Sequence, residues 1–64
     1  MDHTKIGKLI YTLRKENGMT QLQLAESMNI SDKTVSKWER GLGCPDVSLF
    51  YVLSSIFHMD KEKP

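Results

Sequence analysis

The apolar residues between Thr20 and Gly41 predict two short helices joined by a tight turn. They are separated by four, two, five and three positions, and one continuous helix would not bring them to the same side. Two helices that break near Asn29 would do so, because each then contributes its own inner face. The five apolar residues are Leu24, Met28, Ile30, Val35 and Trp38.

Local signals mark the ends of these two helices. Thr20 and Gln23 fit a capping box, in which each side chain accepts a hydrogen bond from the backbone N–H of the other residue. Ser31 is the expected N-cap of the second helix. Asn29 suits the turn because asparagine tolerates a left-handed backbone, and Gly41 ends a helix for the same reason. The pair of helices is therefore predicted over residues 20–41.

One further amphipathic helix is predicted before this pair and another after it. The earlier helix has apolar residues at i, i+3, i+4 and i+7 and ends at Asn17-Gly18. The later helix begins after Asp46, its expected N-cap. Because no segment has the pattern of a strand, we expect one all-α domain over residues 1–64, a compact bundle of four short helices. The two apolar stripes consist of Ile6, Leu9, Ile10 and Leu13, and of Leu49, Val52, Leu53, Ile56 and Phe57.

The inner faces of the four helices predict a single core. Ala25 is small enough to let a neighbouring helix approach closely. Gly7, inside the first helix, has two explanations: tolerance near a frayed N-terminus, or close packing of the backbone against a neighbour. The sequence favours neither. The predicted core residues are Leu13, Leu24, Ala25, Met28, Ile30, Val35, Trp38, Leu49 and Leu53.

Composition places the chain among small intracellular domains. Its 64 residues are 39% apolar and 27% charged, which is too apolar for disorder and close to the lower size limit for a self-sufficient core. The net charge is +1, but residues 5–40 carry seven basic and four acidic side chains, which allows a modest basic face. A single cysteine excludes an internal disulfide. Without a membrane span or signal peptide, we expect a cytoplasmic protein associated with the nucleoid.

Neither catalysis nor metal binding is indicated. His3, Cys44 and His58 match no standard metal-site spacing, so we expect no metal and no cofactor. Cys44 could act as a redox sensor, but a quiet loop thiol is the favoured interpretation. The chain has no glycine-rich phosphate loop, nucleophile motif or paired carboxylates, so we expect no enzyme activity.

The central pair of helices carries a family resemblance. The segments TQxxLAxxM, NIS and TVSKWERG, followed by a proline before the last helix, resemble the helix-turn-helix of phage repressor and Cro-type regulators, the XRE family. The resemblance covers about residues 6–57. It implies a repressor-like fold and a bacterial or phage transcription regulator, a repressor, that occupies a two-fold DNA operator as a homodimer. Relatives usually continue into a fifth helix after the position of His58, so the chain is either a compact four-helix protein or the N-terminal part of a longer regulator.

The resemblance also implies roles for individual residues. The recognition helix, about residues 31–40, would lie in the major groove of double-stranded DNA, and the helix before it would cross the phosphate backbone. Arg14 and Glu39 match an ion pair that bridges the first and third helices. Where relatives carry amide side chains this chain has aspartate and lysine, so their base preference does not transfer. The implied base-reading residues are Asp32, Lys33, Thr34, Ser36 and Lys37, and the implied phosphate contacts are Gln21, Ser31 and Arg40.

Several of these positions have a simpler interpretation. Lys33, Lys37 and Arg40 could form a solvated helix surface, and Asp32 could serve only as a partner of the helix dipole. Trp38 shares a face with Val35, so we expect a core residue and not a platform for base stacking.

The alternatives for the whole protein concern protein partners. Phe50 and Tyr51 are the apolar side chains that most need a partner, and we expect a dimer surface there unless the C-terminal tail or another segment covers them. The alternative function is a protein-interaction module on the same fold, such as an antitoxin, antirepressor or scaffold.

Overall fold

The computed structural model describes residues 3–57, which form four α-helices and contain no strand. The all-α prediction is confirmed for this part of the chain. A fifth helix would lie outside the described residues. The helices are α1 (His3–Glu16), α2 (Gln21–Met28), α3 (Asp32–Glu39) and α4 (Val47–Phe57).

The first three helices end in the same way. Each is followed by one residue with a left-handed backbone, and the N–H of the next residue bonds to a carbonyl five positions earlier. This arrangement satisfies carbonyl groups that the helix end leaves without partners. The predicted stops are therefore confirmed, with asparagine taking the role of glycine after α2. The left-handed residues are Gly18, Asn29 and Gly41, with φ of 66°, 60° and 77°.

The predicted helix starts are present as well. The Thr20 hydroxyl accepts from the Gln23 backbone N–H at 3.0 Å, and the Thr20 N–H donates to the Gln23 side chain at 2.8 Å, which completes the capping box. Ser31 caps α3 through the backbone N–H of Thr34. The Asp46 carboxylate accepts from the Leu49 N–H at 2.9 Å at the start of α4. All three caps follow from residues that local sequence identifies.

The core lies where α3 packs against α1 and α2, and α4 packs against α2. Of the predicted core residues, Leu13, Ile30 and Leu49 are only half-buried and pack against its edge. The other six predicted residues are buried, together with Ile10 and Phe57 from the two predicted stripes. Trp38 is among the buried residues, as expected. The buried apolar residues are Ile10, Leu24, Ala25, Met28, Val35, Trp38, Leu53 and Phe57.

Two residues of the predicted apolar stripes do not join the core. Leu9 is 43% exposed and Val52 is 37% exposed. The buried stripe of α4 is centred on Leu53 and Phe57, and Val52 is turned about 100° away from Leu53. Leu9 lies instead on the wall of an apolar groove that it shares with Phe50 and Pro45. The apolar stripes of α1 and α4 are therefore wider than the buried faces of these helices.

At Gly7 the backbone of α1 lies very close to the backbone of α3. A Cβ atom added there would overlap the Trp38 carbonyl oxygen and lie 3.0 Å from the carbonyl oxygen of Glu39. Both obstacles are backbone atoms, which cannot move without shifting α3. Close packing is thus the correct explanation for this glycine, and fraying is not.

Replacing Gly7 by alanine is expected to lower the free energy of unfolding by about 1–3 kcal/mol, because the added methyl forces α1 and α3 apart. The steric overlap itself must cost more than this net loss, because alanine regains ~1 kcal/mol over glycine in a helix. Urea denaturation measures the net loss. Gly43→Ala is the matched control, since Gly43 has open space around its Cβ position and no positive φ. Equal stability of the two variants would contradict the close packing.

Candidate nucleic-acid interface

The outer face of α3 is a polar ridge opposite the core. Val35 and Trp38 are buried, whereas Asp32, Lys33 and Lys37 are exposed. Lys33 and Lys37 are four residues apart, so their side chains lie one above the other on one side of the helix. Thr34 and Ser36 are half-buried between this ridge and the core. The predicted base-reading residues therefore comprise three exposed charged side chains and two smaller ones at the edge.

Both ends of α3 have side chains that bond to the helix itself. The Ser31 hydroxyl lies 3.2 Å from the Thr34 hydroxyl, so these two groups share a hydrogen bond at the helix start. At the other end, Arg40 is exposed and its Nε donates to the Ser36 carbonyl oxygen at 3.3 Å. A cation at this end also complements the partial negative charge of the helix C-terminus.

Gln21, the first residue of α2, points toward α3. Its side-chain Nε2 donates to Glu39 Oε1 at 3.0 Å, and the residue is half-buried. Gln21 also lines an open concavity of about 590 Å³ with Lys15, Thr20 and Leu22. Lys15 was missed by the sequence reasoning, because no periodicity within α1 relates its last turn to the start of α2. The sequence indicates only that Lys15 places a positive charge near the end of a helix.

The Arg14–Glu39 pair expected from the resemblance is present and buried. The two side chains are 9% and 6% exposed, and Arg14 Nε lies 2.6 Å from Glu39 Oε2. A second bond joins Arg14 Nη2 to Glu39 Oε1 at 3.0 Å, which makes the pair bidentate. Nη1 donates to the Met19 carbonyl oxygen at 2.8 Å, and the Tyr11 ring lies 5.3 Å from the guanidinium carbon.

The hydrogen bond to Glu39 raises the pKa of Arg14 above its usual value, against the opposing effect of burial. The ion pair therefore favours the charged form of the guanidinium. The pair joins the last turn of α1 to the last residue of α3 and so connects the C-terminal ends of these two helices.

Residues 3–57 contain neither a candidate membrane span nor a candidate metal cluster. None of their helices is long and apolar enough to cross a membrane. Among the same residues, no group of three or more His, Cys, Asp or Glu side chains could hold a metal ion. Cys44 is a half-buried free thiol, and His58 lies outside the described residues.

Comparison with known proteins identifies the class. The sequence profile of a helix-turn-helix family matches residues 10–62, which is most of the chain. The protein therefore belongs to the XRE-type helix-turn-helix family, a class of DNA-binding transcription regulators.

Two curated relatives are regulators. The HTH-type transcriptional activator BcrR of Enterococcus faecalis is 40% identical over 45 residues, covering 70% of this chain and 22% of its own length. The HTH-type transcriptional regulator ImmR of Bacillus subtilis (strain 168) is 30% identical over 57 residues, covering 89% of this chain and 45% of its own. The chain thus spans less than half of either relative. No solved structure matches it significantly.

Single and double substitution of the Arg14–Glu39 pair should have different effects on the free energy of unfolding. Arg14→Met alone should cost about 3–5 kcal/mol of stability, because it leaves the Glu39 carboxylate buried without its counter-charge. Arg14→Met combined with Glu39→Met should restore most of that stability, since apolar side chains of similar volume remove the charge altogether. Urea denaturation of the three proteins measures both effects. A double variant less stable than the single one would contradict this account.

Proposed function

We propose that this domain regulates transcription by binding a specific double-stranded DNA site with α3 in the major groove. The observation that carries the proposal is the exposed ridge of Lys33 and Lys37, directly opposite the buried Val35 and Trp38, in a chain of the helix-turn-helix family. The mechanism is occupancy of the site, with no chemistry on the DNA. Repressor action is the simplest consequence of occupancy, although one relative is named an activator.

The side chains on the ridge have the chemistry needed to read bases. Lys33 and Lys37 can donate to guanine O6 and N7, and Asp32 can accept from the N4 amino group of cytosine. Thr34 can place its methyl group against that of thymine, while Ser36 can bond to several base edges. These five residues are proposed to select the operator, and the exposure of the three charged ones supports that role.

The residues around the ridge are suited to bind the DNA backbone. Gln21 and Lys15 line one concavity at the N-terminus of α2, where backbone N–H groups favour an anion. Ser31 caps the N-terminus of α3, and Arg40 is exposed at its other end. We assign phosphate contacts to these four residues. They would fix the position of α3 on the duplex without reading its sequence.

Substitutions should separate the two kinds of contact. Lys15→Ala or Arg40→Ala is expected to weaken binding to all sequences and to reduce the dependence of log K on log[salt] by about 0.9 for each phosphate that is no longer neutralised. Lys33→Ala with Lys37→Ala should also change which sequence binds best. Selection from a random DNA pool, followed by titrations at several salt concentrations, measures both. If the double lysine variant kept the wild-type affinity and preference, α3 would not be the recognition helix.

A protein-interaction module is the second candidate. Asp32 at the start of the ridge opposes phosphate approach, and the net charge of the chain is only +1. Gel-shift titration against random-sequence DNA at low salt decides between the two functions. No binding at micromolar protein would favour the interaction module.

We further propose that two copies bind a two-fold operator through α4. Val47 and Tyr51 are 88% and 78% exposed, and Phe50 lies beside them on the wall of an apolar groove of about 300 Å³. Exposed apolar side chains clustered in this way are typical of protein–protein contacts.

Tyr51→Ser should therefore lower cooperative binding to a DNA with two half-sites about tenfold, while binding to one half-site stays within about twofold of wild type. Leu42→Ser is the control, because Leu42 is also exposed but lies outside α4. Analytical ultracentrifugation and titrations on both DNAs provide the measurement. Equal decreases in the two variants would exclude the α4 contact.

A further inference from the structure

One carboxylate connects three helices through its hydrogen bonds. Glu39, the last residue of α3, accepts from Arg14 Nε and Nη2 on α1 and from Gln21 Nε2 at the start of α2. Its Oε1 atom receives both Arg14 Nη2 and Gln21 Nε2, each at 3.0 Å. The bonds from Arg14 join α1 to α3. They do not account for the additional bond from Gln21 to the same carboxylate.

The chemistry of these groups fixes the direction of the Gln21 amide. An ionised carboxylate can only accept hydrogen bonds, so the amide must turn its NH₂ group and not its carbonyl toward Glu39. One N–H is then taken by Glu39, and the second remains for another acceptor. A phosphate oxygen is also only an acceptor, so the group that it needs is the same NH₂. Gln21 lines the concavity beside Lys15, where such a phosphate would lie.

We propose that Glu39 is a positioning residue for DNA binding, because it holds the Gln21 amide with its second N–H ready for a DNA phosphate. A long polar side chain loses rotamer freedom when it binds, and a side chain already held in place loses less. The same bond ties the backbone contact of α2 to the end of the reading helix. This inference rests on the proposed DNA binding and adds to it a residue that faces the protein interior.

The opposing explanation is that Gln21 only closes off the buried ion pair. In that case Gln21 would affect stability but not DNA affinity, or would affect affinity equally whether or not Glu39 is present. The two explanations therefore differ in the coupling between these residues, which a double-mutant cycle measures.

The cycle compares Gln21→Met in two backgrounds: the wild type, and the variant with Arg14→Met and Glu39→Met. Methionine keeps the length of glutamine but cannot donate. We expect Gln21→Met to weaken binding to a random-sequence duplex at low salt about fivefold in the wild type and less than about twofold in the other background. The same factor in both backgrounds would overturn the proposal. Equal far-ultraviolet circular dichroism of all four proteins establishes that each is folded.

A spectroscopic measurement on the unaltered protein tests the same point without relying on the folding of a variant. The ¹⁵N–¹H signals of the Gln21 side-chain amide should be shifted away from those of a free glutamine, and one of the two protons should shift again when the duplex is added. Signals at free-glutamine positions would overturn the proposal.

The experiments distinguish a wrong role for Glu39 from a wrong proposal of DNA binding. If the wild type binds no DNA at micromolar concentration, both are overturned. If it binds DNA and the cycle shows no coupling, only the role of Glu39 is overturned, and α3 keeps its proposed place in the groove.

Discussion

The structure depends on one buried bidentate ion pair between Arg14 and Glu39. Two charges with side chains under 10% exposed are costly to bury, and apolar residues would fill that space at similar or better stability. What the pair supplies is direction, because a planar guanidinium and a planar carboxylate meet in few relative orientations. The end of α3 is therefore fixed relative to α1 and, through Gln21, to the start of α2. A helix held at its end in this way keeps its outer ridge at one angle to α1 and α2.

Close packing elsewhere along α3 acts together with this pair. At Gly7 the backbones of α1 and α3 approach so closely that no Cβ fits between them. Three left-handed turns, each closed by the same backbone bonds, connect the four helices with few residues. Short connections and backbone contacts leave α3 little freedom to rotate or slide. The bundle is small, yet the helix that is proposed to touch DNA is its most restrained part.

Local sequence predicted the elements well, since caps, left-handed stops and apolar spacing depend on nearby residues. Thr20, Asn29 and Gly41 show this directly. Contacts between helices could not be predicted from local sequence. The neighbour of Gly7, the exposure of Leu9 and Val52, and the placement of Lys15 and Gln21 around one concavity all depend on how helices face each other. The Arg14–Glu39 pair came from family resemblance, because 25 positions separate its members. The assignment of bases and phosphates to side chains stays a prediction.

The separation of α3 into an inner and an outer face has a consequence for how such proteins diverge. Val35 and Trp38 carry the packing, whereas Asp32, Lys33 and Lys37 contribute little to it because they are exposed. Substitutions at those three outer positions should be close to neutral for folding. Under the proposed role of these positions in base reading, a lineage could exchange its DNA target by a few surface changes while the scaffold stays intact.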